Sequence, residues 1–167
     1  TYYRSVSDRI GDGVIQTYDD SPFDGENVGE SVYLDLINRA EKSCYIFTPY
    51  LIPDDFMRLA LKNAAKRGVS GKIVVPAIPD KKTAYALTRA NFEPLKKAGV
   101  KIYKYTPGFI HAKSMLADGK YAVVGTVNLD YRSLYLHYEN AVFFTDKDAV
   151  SALEKDCEET FSVSEEI

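Results

Sequence analysis

Strand-like and helix-like patterns alternate along the first two thirds of the chain, and this alternation restricts the folds that it can adopt. Apolar strand patterns cover residues 14–18, 43–48, 72–75 and 100–105, and segments with helical spacing of apolar residues separate them. Alternating strands and helices are typical of a sheet covered by helices. We therefore expect an α/β domain whose first part forms a largely parallel sheet.

Capping residues and helix breakers mark the predicted helices. Asp54 is a good N-cap, and Gly68 is a good stop for the helix between them. Residues 83–98 predict another helix, which Pro94 should kink or divide. The apolar spacing of the helix after Asp54 predicts that it buries Phe56, Leu59, Ala60, Asn63 and Ala64.

The last third of the sequence predicts antiparallel strands. Segments 111–117 and 120–125 flank Asp118-Gly119, which is a two-residue hairpin signal. We expect a loop over residues 126–134 and a strand over residues 137–144. Asp146 can cap a final helix, after which the polar tail SVSEEI is expected to fray.

Length and composition set limits on the class of protein. A chain of 167 residues with 46% hydrophobic residues is long enough for one domain with a substantial core. Its net charge of −3 argues against a general nucleic-acid-binding protein, which usually carries a basic face. No apolar run approaches the roughly 20 residues of a membrane-spanning helix. We expect an intracellular protein in which Cys44 and Cys157 are small core residues.

A histidine and a lysine two residues apart, His111 and Lys113, point to chemistry on phosphate. On a strand they share a face, where one is a possible nucleophile and the other a fixed cation. An isolated pair of this kind is more often structural than catalytic. Here the predicted hairpin returns Gly125, Thr126 and Asn128 to the same neighbourhood. Gly125 permits close approach of the backbone, Thr126 offers a hydroxyl and Asn128 offers an amide donor. Such groups bind phosphate oxygens well, so these residues predict a phosphate site.

Three further polar residues have alternative interpretations. Asp118 occupies a turn position that aspartate favours for backbone reasons, and we favour a structural role over a catalytic one. Glu139 lies in an otherwise apolar strand and needs a partner, which is either His111 or a basic residue elsewhere. His137 either borders the same pocket or lies at the rim of a strand end, and we favour the rim.

The window HAKSMLADGKYAVVGTVN fits the H-x-K-x4-D-x6-G-[S/T]-x-N signature of the phospholipase D superfamily at every fixed position. The segments TPYLIPDDF, AGVKIYKYTPGFIHAKSM and GTVNLDYRSLYLHYEN resemble the C-terminal catalytic domain of bacterial cardiolipin synthases. The resemblance runs from about residue 14 to residue 144. It implies the phospholipase D-like α/β/α sandwich, with a mixed central sheet flanked by helices.

The resemblance also implies roles for individual residues. His111 would attack phosphorus and form a phosphohistidine, or act as the acid/base counterpart of the residue that does. Lys113 and Asn128 would bind the non-bridging phosphate oxygens with support from Thr126, and Glu139 would orient the histidine. No metal or other cofactor is implied.

The chain departs from the family in one respect, because it carries a single His-x-Lys motif. Cardiolipin synthases typically carry two copies in one chain, preceded by membrane-associated helices. We expect one domain over residues 1–167 that is the C-terminal half of a longer enzyme. A start at TYYRSVSDR without an initiator methionine favours this interpretation. Alternatively the chain pairs with itself, as small single-motif nucleases of the superfamily do.

Three functions follow as hypotheses. The first is phosphatidyl transfer, which joins phosphatidylglycerol units and releases glycerol. The second is a homodimeric phosphodiesterase or nuclease, although the net negative charge of the chain disfavours nucleic acid as a partner. The third is an isolated half-domain without activity of its own. For the first, the full-length enzyme would act on phospholipid at the cytoplasmic side of the bacterial membrane, while this fragment would be soluble.

Overall fold

A computed structural model describes residues 12–167 and shows a central sheet flanked by helices. The start TYYRSVSDR, and with it the first part of the predicted domain, lies outside the described residues. In chain order the elements are β1 (Ile15–Asp20), α1 (Val28–Arg39), β2 (Ser43–Phe47), β3 (Leu51–Ile52), α2 (Asp55–Lys66), β4 (Ser70–Pro76), α3 (Lys82–Ala90), α4 (Phe92–Lys96), β5 (Lys101–Tyr105), β6 (Ser114–Ala117), β7 (Tyr121–Gly125), β8 (Leu129–Asp130), α5 (Tyr131–Tyr135), β9 (Glu139–Phe144), α6 (Lys147–Ser162) and β10 (Ser164–Glu166). The predicted mixed α/β architecture is confirmed.

The main sheet has eight strands in the order β1-β9-β7-β6-β2-β4-β5-β10. Strands β2, β4 and β5 are parallel neighbours, as the alternating pattern predicts. The remaining pairings in this sheet are antiparallel, including that of β1 with β9. The short strands β3 and β8 form a separate parallel pair. The expectation of a largely parallel first part therefore holds for three strands and is wrong for β1.

Alternate residues of the central strands enter two cores, one on each face of the sheet. Ile46, Ile73 and Met115 lie in the core that α1, α2 and α4 cover. Their neighbours in sequence Phe47, Val74 and Leu116 lie in the core that α6 covers. Successive side chains of a strand point to opposite faces, so a sheet covered on both faces needs apolar residues at nearly every position. This explains the continuous apolar runs of the sequence.

Both cysteines are core residues, as predicted. Cys44 is buried in β2 on the α1 side of the sheet, and Cys157 is buried in α6 on the other side. Burial raises the pKa of each thiol to about 12. Both thiols therefore behave as small apolar groups.

The caps of α2 are confirmed, whereas its predicted buried face is right for Ala60 and Ala64 and wrong for Phe56 and Leu59. Asp54 accepts a hydrogen bond from the amide of Met57 (2.8 Å), and Gly68 follows the helix at φ 93°. Phe56 and Leu59 are 71% and 56% exposed. The buried residues are Met57, Ala60, Leu61 and Ala64. Two overlapping apolar stripes of the helix satisfy the same spacing. The stripe that contains Met57 and Leu61 is the one that packs against α1 and β4.

Helix α1 begins at Val28, and its first amides are capped by a side chain from another element. The carboxylate of Asp20, at the end of β1, accepts hydrogen bonds from the amides of Val28 (3.3 Å) and Gly29 (2.7 Å). The cap is therefore supplied by a residue distant in sequence. Local capping rules cannot detect it.

Several boundaries in the last third also differ from the predictions. Strand β6 begins at Ser114 rather than at His111, and β9 begins at Glu139 rather than at His137. Both histidines therefore precede strands. The predicted loop over residues 126–134 contains β8 and most of α5. Within the predicted helix 83–98, Asn91 separates α3 from α4, in agreement with the expected division near Pro94.

The carboxyl-terminal tail is ordered as strand β10 instead of frayed. It pairs antiparallel with the edge strand β5. The side chain of Glu166 accepts a hydrogen bond from the Tyr103 hydroxyl (2.7 Å) and pairs with Lys101 (3.3 Å). The polar composition of the tail suits an edge strand with one exposed side. Among residues 12–167, no helix is long and apolar enough to cross a bilayer.

Candidate functional site

The predicted site residues, apart from Asp118, lie at one edge of the sheet. Strands β2, β4 and β5 end at this edge, whereas β6 and β9 begin there, because Phe47 pairs with Ser114 and Gly125 pairs with Ala141. The segment 109–113 enters β6 at this edge, and the segment 126–128 leaves β7 beside it. The carboxyl ends of parallel strands are where ligand crevices form in α/β sheets.

Glu139 is the buried polar centre of this edge. Its side chain is only 8% exposed. The hydroxyl of Ser133 donates to Oε1 (2.5 Å), and the hydroxyl of Thr126 donates to Oε2. Thr126 also accepts a hydrogen bond from the amide of Asn140 (3.0 Å). The Thr126 hydroxyl also lies 3.3 Å from the carbonyl oxygen of Asn140, but its much shorter contact is the one with Glu139.

The predicted partners of Glu139 are not those found. Among the described residues, no hydrogen bond or ion pair joins Glu139 to His111, to a lysine or to an arginine. The imidazole that approaches it belongs to His137, whose Nδ1 lies 3.6 Å from Oε1, beyond hydrogen-bonding distance. Two hydroxyl donors satisfy the buried carboxylate, which removes the need for a basic partner.

Ser133 is a buried polar residue of this edge that sequence reasoning missed. Its hydroxyl accepts a hydrogen bond from the amide of Asn128 (2.8 Å) and donates to Glu139. Its own amide donates to the carboxylate of Asp130 (3.0 Å), which caps α5. Aspartate is a favoured N-cap residue, and Asp130 could therefore have indicated the start of the short helix.

Lys113 is half-buried and directed back towards its own loop. Its ammonium group donates to the carbonyl of His111 (2.6 Å). Burial lowers the pKa of Lys113, and the negative charges of Glu139 and Asp130 oppose that shift. The imidazole of His111 itself is exposed and lies beside Phe109, with 5.8 Å between ring centroids.

Asn128 has a buried side-chain oxygen, Oδ1, without a hydrogen-bond partner among the described residues. An unpaired buried acceptor costs about 1–3 kcal/mol. Its backbone amide, by contrast, is held by Ser133. Exceptions of this kind in native proteins are often associated with function.

Asp118 lies at the opposite end of β6 from His111. Its carboxylate accepts hydrogen bonds from the amides of Glu41 (2.9 Å), Lys42 (2.7 Å) and Ser43 (2.9 Å). Asp118 and the following Gly119 both have positive φ, 55° and 62°, as a tight hairpin turn requires. A groove of about 880 Å³ borders this end and includes Asp118. This carboxylate is thus committed to the backbone and distant from the other motif residues.

Gly125 lies where β7 and β9 approach most closely. A Cβ atom there would lie 2.3 Å from Cβ of Ala141 and 2.4 Å from the carbonyl oxygen of Asn140. Only glycine therefore permits this pairing, which brings Thr126 to Glu139.

The arrangement joins a cation, a carboxamide and an exposed imidazole at one edge of the sheet. Within residues 12–167 no three His, Cys, Asp or Glu side chains are grouped in a way that could hold a metal ion. Lys113 and the Asn128 carboxamide are of the residue types that stabilise an oxyanion. An imidazole beside them is suited to nucleophilic or acid/base chemistry.

The family model described as cardiolipin synthase, PLD-like domain matches residues 33–161. An uncharacterized protein of Streptococcus mutans is 50% identical over 158 residues, which cover 95% of this chain and 34% of that protein. The probable cardiolipin synthase YwiE of Bacillus subtilis is 39% identical over 157 residues, which cover 94% of this chain and 31% of that protein. The chain thus spans about a third of the length of these relatives.

Among solved structures, Nuc of Salmonella typhimurium, a phospholipase D family member, resembles this fold with a TM-score of 0.78. The match covers 93% of this chain and 98% of Nuc, at 18% sequence identity. At that identity the likeness concerns the fold alone. Together with the matching family model and the sequence relatives, it shows that the chain belongs to the phospholipase D superfamily, in the PLD-like domain family of cardiolipin synthases.

Proposed function

We propose that this domain provides one half of a phosphatidyl-transfer site, in which His111, Lys113, Asn128 and Glu139 act on a phosphodiester. The observation that carries the proposal is that the segments 111–113 and 126–128 lie at the same end of β6 and β7, where two hydroxyls hold the buried carboxylate of Glu139. The family supports phospholipid as the substrate class.

In this mechanism an imidazole nitrogen of His111 attacks the phosphorus of phosphatidylglycerol. The bond to the glycerol oxygen breaks, and an acid from a second His-x-Lys motif protonates that oxygen. The hydroxyl of a second phosphatidylglycerol then attacks the phosphohistidine, loses its proton to the same second group, and releases His111 with cardiolipin as product. If the second motif holds the nucleophile, His111 takes the acid/base role.

Lys113 and Asn128 would bind the non-bridging oxygens, whose charge grows in the transition state. The lowered pKa of the Lys113 ammonium reflects its partial burial, and a bound phosphate would favour the charged form again. Because the Thr126 hydroxyl donates a hydrogen bond to Glu139, we propose that Thr126 acts by holding Glu139 rather than by contacting phosphate.

Glu139 would orient the imidazole that reacts. Its two oxygens each accept one hydroxyl proton, and a carboxylate has further lone pairs for an imidazole N–H. Among the described residues His111 makes no such bond, so a change of its side-chain conformation would bring the imidazole to Oε1. Catalytic hydrogen bonds are often long before substrate is bound.

A homodimeric phosphodiesterase is the second candidate. The observation that favours it is the match to Nuc over 98% of that protein, which is a chain of similar extent. Two copies of this chain would then each contribute one His111. For the phosphatidyl-transfer candidate we expect the full-length protein to act at the cytoplasmic side of the membrane.

The test compares the chain with His111→Ala on phosphatidylglycerol vesicles and on bis(p-nitrophenyl) phosphate. With the second motif supplied by the full-length protein or by a second copy of the chain, we expect turnover of at least one substrate, a loss of at least about a thousandfold in His111→Ala, and a labelled protein intermediate that is stable in alkali. His137→Asn changes the other histidine and should retain turnover. Equal turnover by His111→Ala would refute the mechanism. Sedimentation of the active form separates the two candidates, since a strictly monomeric active chain excludes the homodimer.

A further inference from the structure

The short helix α5 contacts two polar clusters that the sequence motif does not include. Ser133, near its middle, contacts Asn128 and Glu139. Tyr135, at its end, lies between two carboxyl groups from other helices, Glu30 of α1 and Asp54 at the N-cap of α2. We propose that α5 is the positioning element of the phosphate site, with Ser133 as its contact and Tyr135 as its anchor. This inference deepens the proposed function and rests on it.

Ser133 joins two functional groups through one hydroxyl. The oxygen accepts the Asn128 amide at 2.8 Å, and the proton is donated to Glu139 Oε1 at 2.5 Å. A hydroxyl that accepts and donates at once has a defined orientation, and this one is 1% exposed, so water cannot replace it. The backbone of the proposed phosphate-binding residue and the proposed orienting carboxylate are therefore held at a fixed distance from each other.

Tyr135 fixes the other end of the helix. Its hydroxyl oxygen lies 2.7 Å from Glu30 Oε1 and 2.5 Å from Asp54 Oδ2. A hydroxyl has one proton, so it cannot donate to both carboxyl groups. The three groups are satisfied when one carboxyl carries a proton, donates it to the tyrosine oxygen, and the tyrosine donates to the other carboxylate.

The surroundings decide which carboxyl is protonated. Burial raises the pKa of Glu30, and the nearby Asp54 adds to this effect. Burial also acts to raise the pKa of Asp54. Hydrogen bonds donated by Tyr135 and by the amide of Met57, together with the charge of Arg58, outweigh burial and lower that pKa. Of the two carboxyls, Glu30 therefore holds a proton more readily than Asp54, and a shared proton gives a chain of hydrogen bonds from Glu30 through Tyr135 to Asp54. It ties α5 to the amino-terminal ends of α1 and α2.

The anchor and the contact lie two residues apart on a helix of five residues. A helix this short has no stability of its own, so tertiary contacts determine its position. Ring contact between Tyr131 and Tyr135, with 4.7 Å between centroids, further restricts the anchor. Any displacement of Tyr135 is thus transmitted to Ser133 and from there to Asn128 and Glu139.

The test measures inorganic phosphate affinity by calorimetry and hydrogen exchange of the Asn128 backbone amide by NMR. Ser133→Ala should weaken phosphate binding about tenfold and accelerate exchange of that amide at least about tenfold. Tyr135→Phe removes only the anchoring hydroxyl and should change both quantities in the same direction, by about threefold.

Thr88→Val is the matched control. Thr88 is also 1% exposed, and its hydroxyl accepts one backbone amide, that of Leu51 (3.1 Å). This variant should lose stability without a change in phosphate affinity. The proposal is overturned if Ser133→Ala keeps wild-type affinity and amide protection, if Thr88→Val weakens phosphate binding equally, or if the wild-type chain binds no phosphate at millimolar concentration. Neither readout requires turnover, so a full-length protein or dimer that binds phosphate but transfers nothing contradicts the proposed function alone.

Discussion

Removing the carboxylate of Asp118 should destabilise the fold without affecting the chemistry. Asp118 is the third fixed side chain of the motif, yet it accepts three backbone amides at the end of the sheet remote from His111. Hydrogen bonds to a charged group contribute about 1.5–3 kcal/mol each when buried. The amides of Glu41 and Lys42 are exposed, so water recovers part of this energy. We expect Asp118→Ala to lower the free energy of unfolding by about 3 kcal/mol, including strain at φ 55°.

Asp118→Asn separates charge from geometry. Asparagine tolerates the left-handed backbone and retains one acceptor oxygen, so we expect a loss of about 1 kcal/mol. Burial by itself would raise the pKa of Asp118, but the amides of Ser43, Glu41 and Lys42 outweigh it and lower the pKa below 3.8. The stabilisation is therefore present above pH 3.8 and is lost as the pH falls through the folded-state pKa. The difference between wild type and Asp118→Asn should shrink at acid pH.

Urea unfolding followed by far-ultraviolet circular dichroism measures these changes, since the chain has no tryptophan. Asp24→Ala is the control, because Asp24 is exposed and accepts a single local amide, that of Glu26. It should change stability by less than about 0.5 kcal/mol. The reasoning is refuted if Asp118→Ala loses less than about 1 kcal/mol, or if Asp118→Asn abolishes phosphate binding while unfolding is unchanged.

Three further predictions concern packing, protonation and the sheet edge. Gly125→Ala should cost about 3 kcal/mol or prevent folding, whereas Gly108→Ala, with no atom within 4 Å of the added Cβ, should be neutral in thermal melts. Because burial raises the pKa of Glu30 above 4.5, its contribution to stability is present below pH 4.5 and is lost as the pH rises through the folded-state pKa. Glu30→Gln should remove that decline in urea midpoints above pH 4.5, and an unchanged profile would contradict the shared proton. Deleting residues 164–167 uncovers the edge of β5 and should cost about 1–2 kcal/mol and promote association in sedimentation; a stable monomer would contradict a structural role for β10.

Local rules predict an element when its signal lies within a few residues. The N-caps Asp54 and Asp146 were predictable because a cap bonds to an amide three residues away. The cap that Asp20 supplies to α1 was not, since β1 must first pair with β9 to bring it there. The tail is a similar case, because its polar residues become a strand only beside the unpaired edge of β5.

For the candidate site, the sequence alone determined which residue types occur and at which spacings, from His111 to Asn128, and these identify the family. Tertiary structure decided their partners. The antiparallel pairing of β7 with β9 brings the Thr126 hydroxyl to the carboxylate of Glu139, and helix α5 brings the Ser133 hydroxyl to the same carboxylate. Two hydroxyls therefore hold the group for which the sequence predicted a histidine or a basic residue as partner. The physical reason is that a buried carboxylate takes the donors that the fold brings within 3 Å, and these come from segments whose proximity no local pattern encodes.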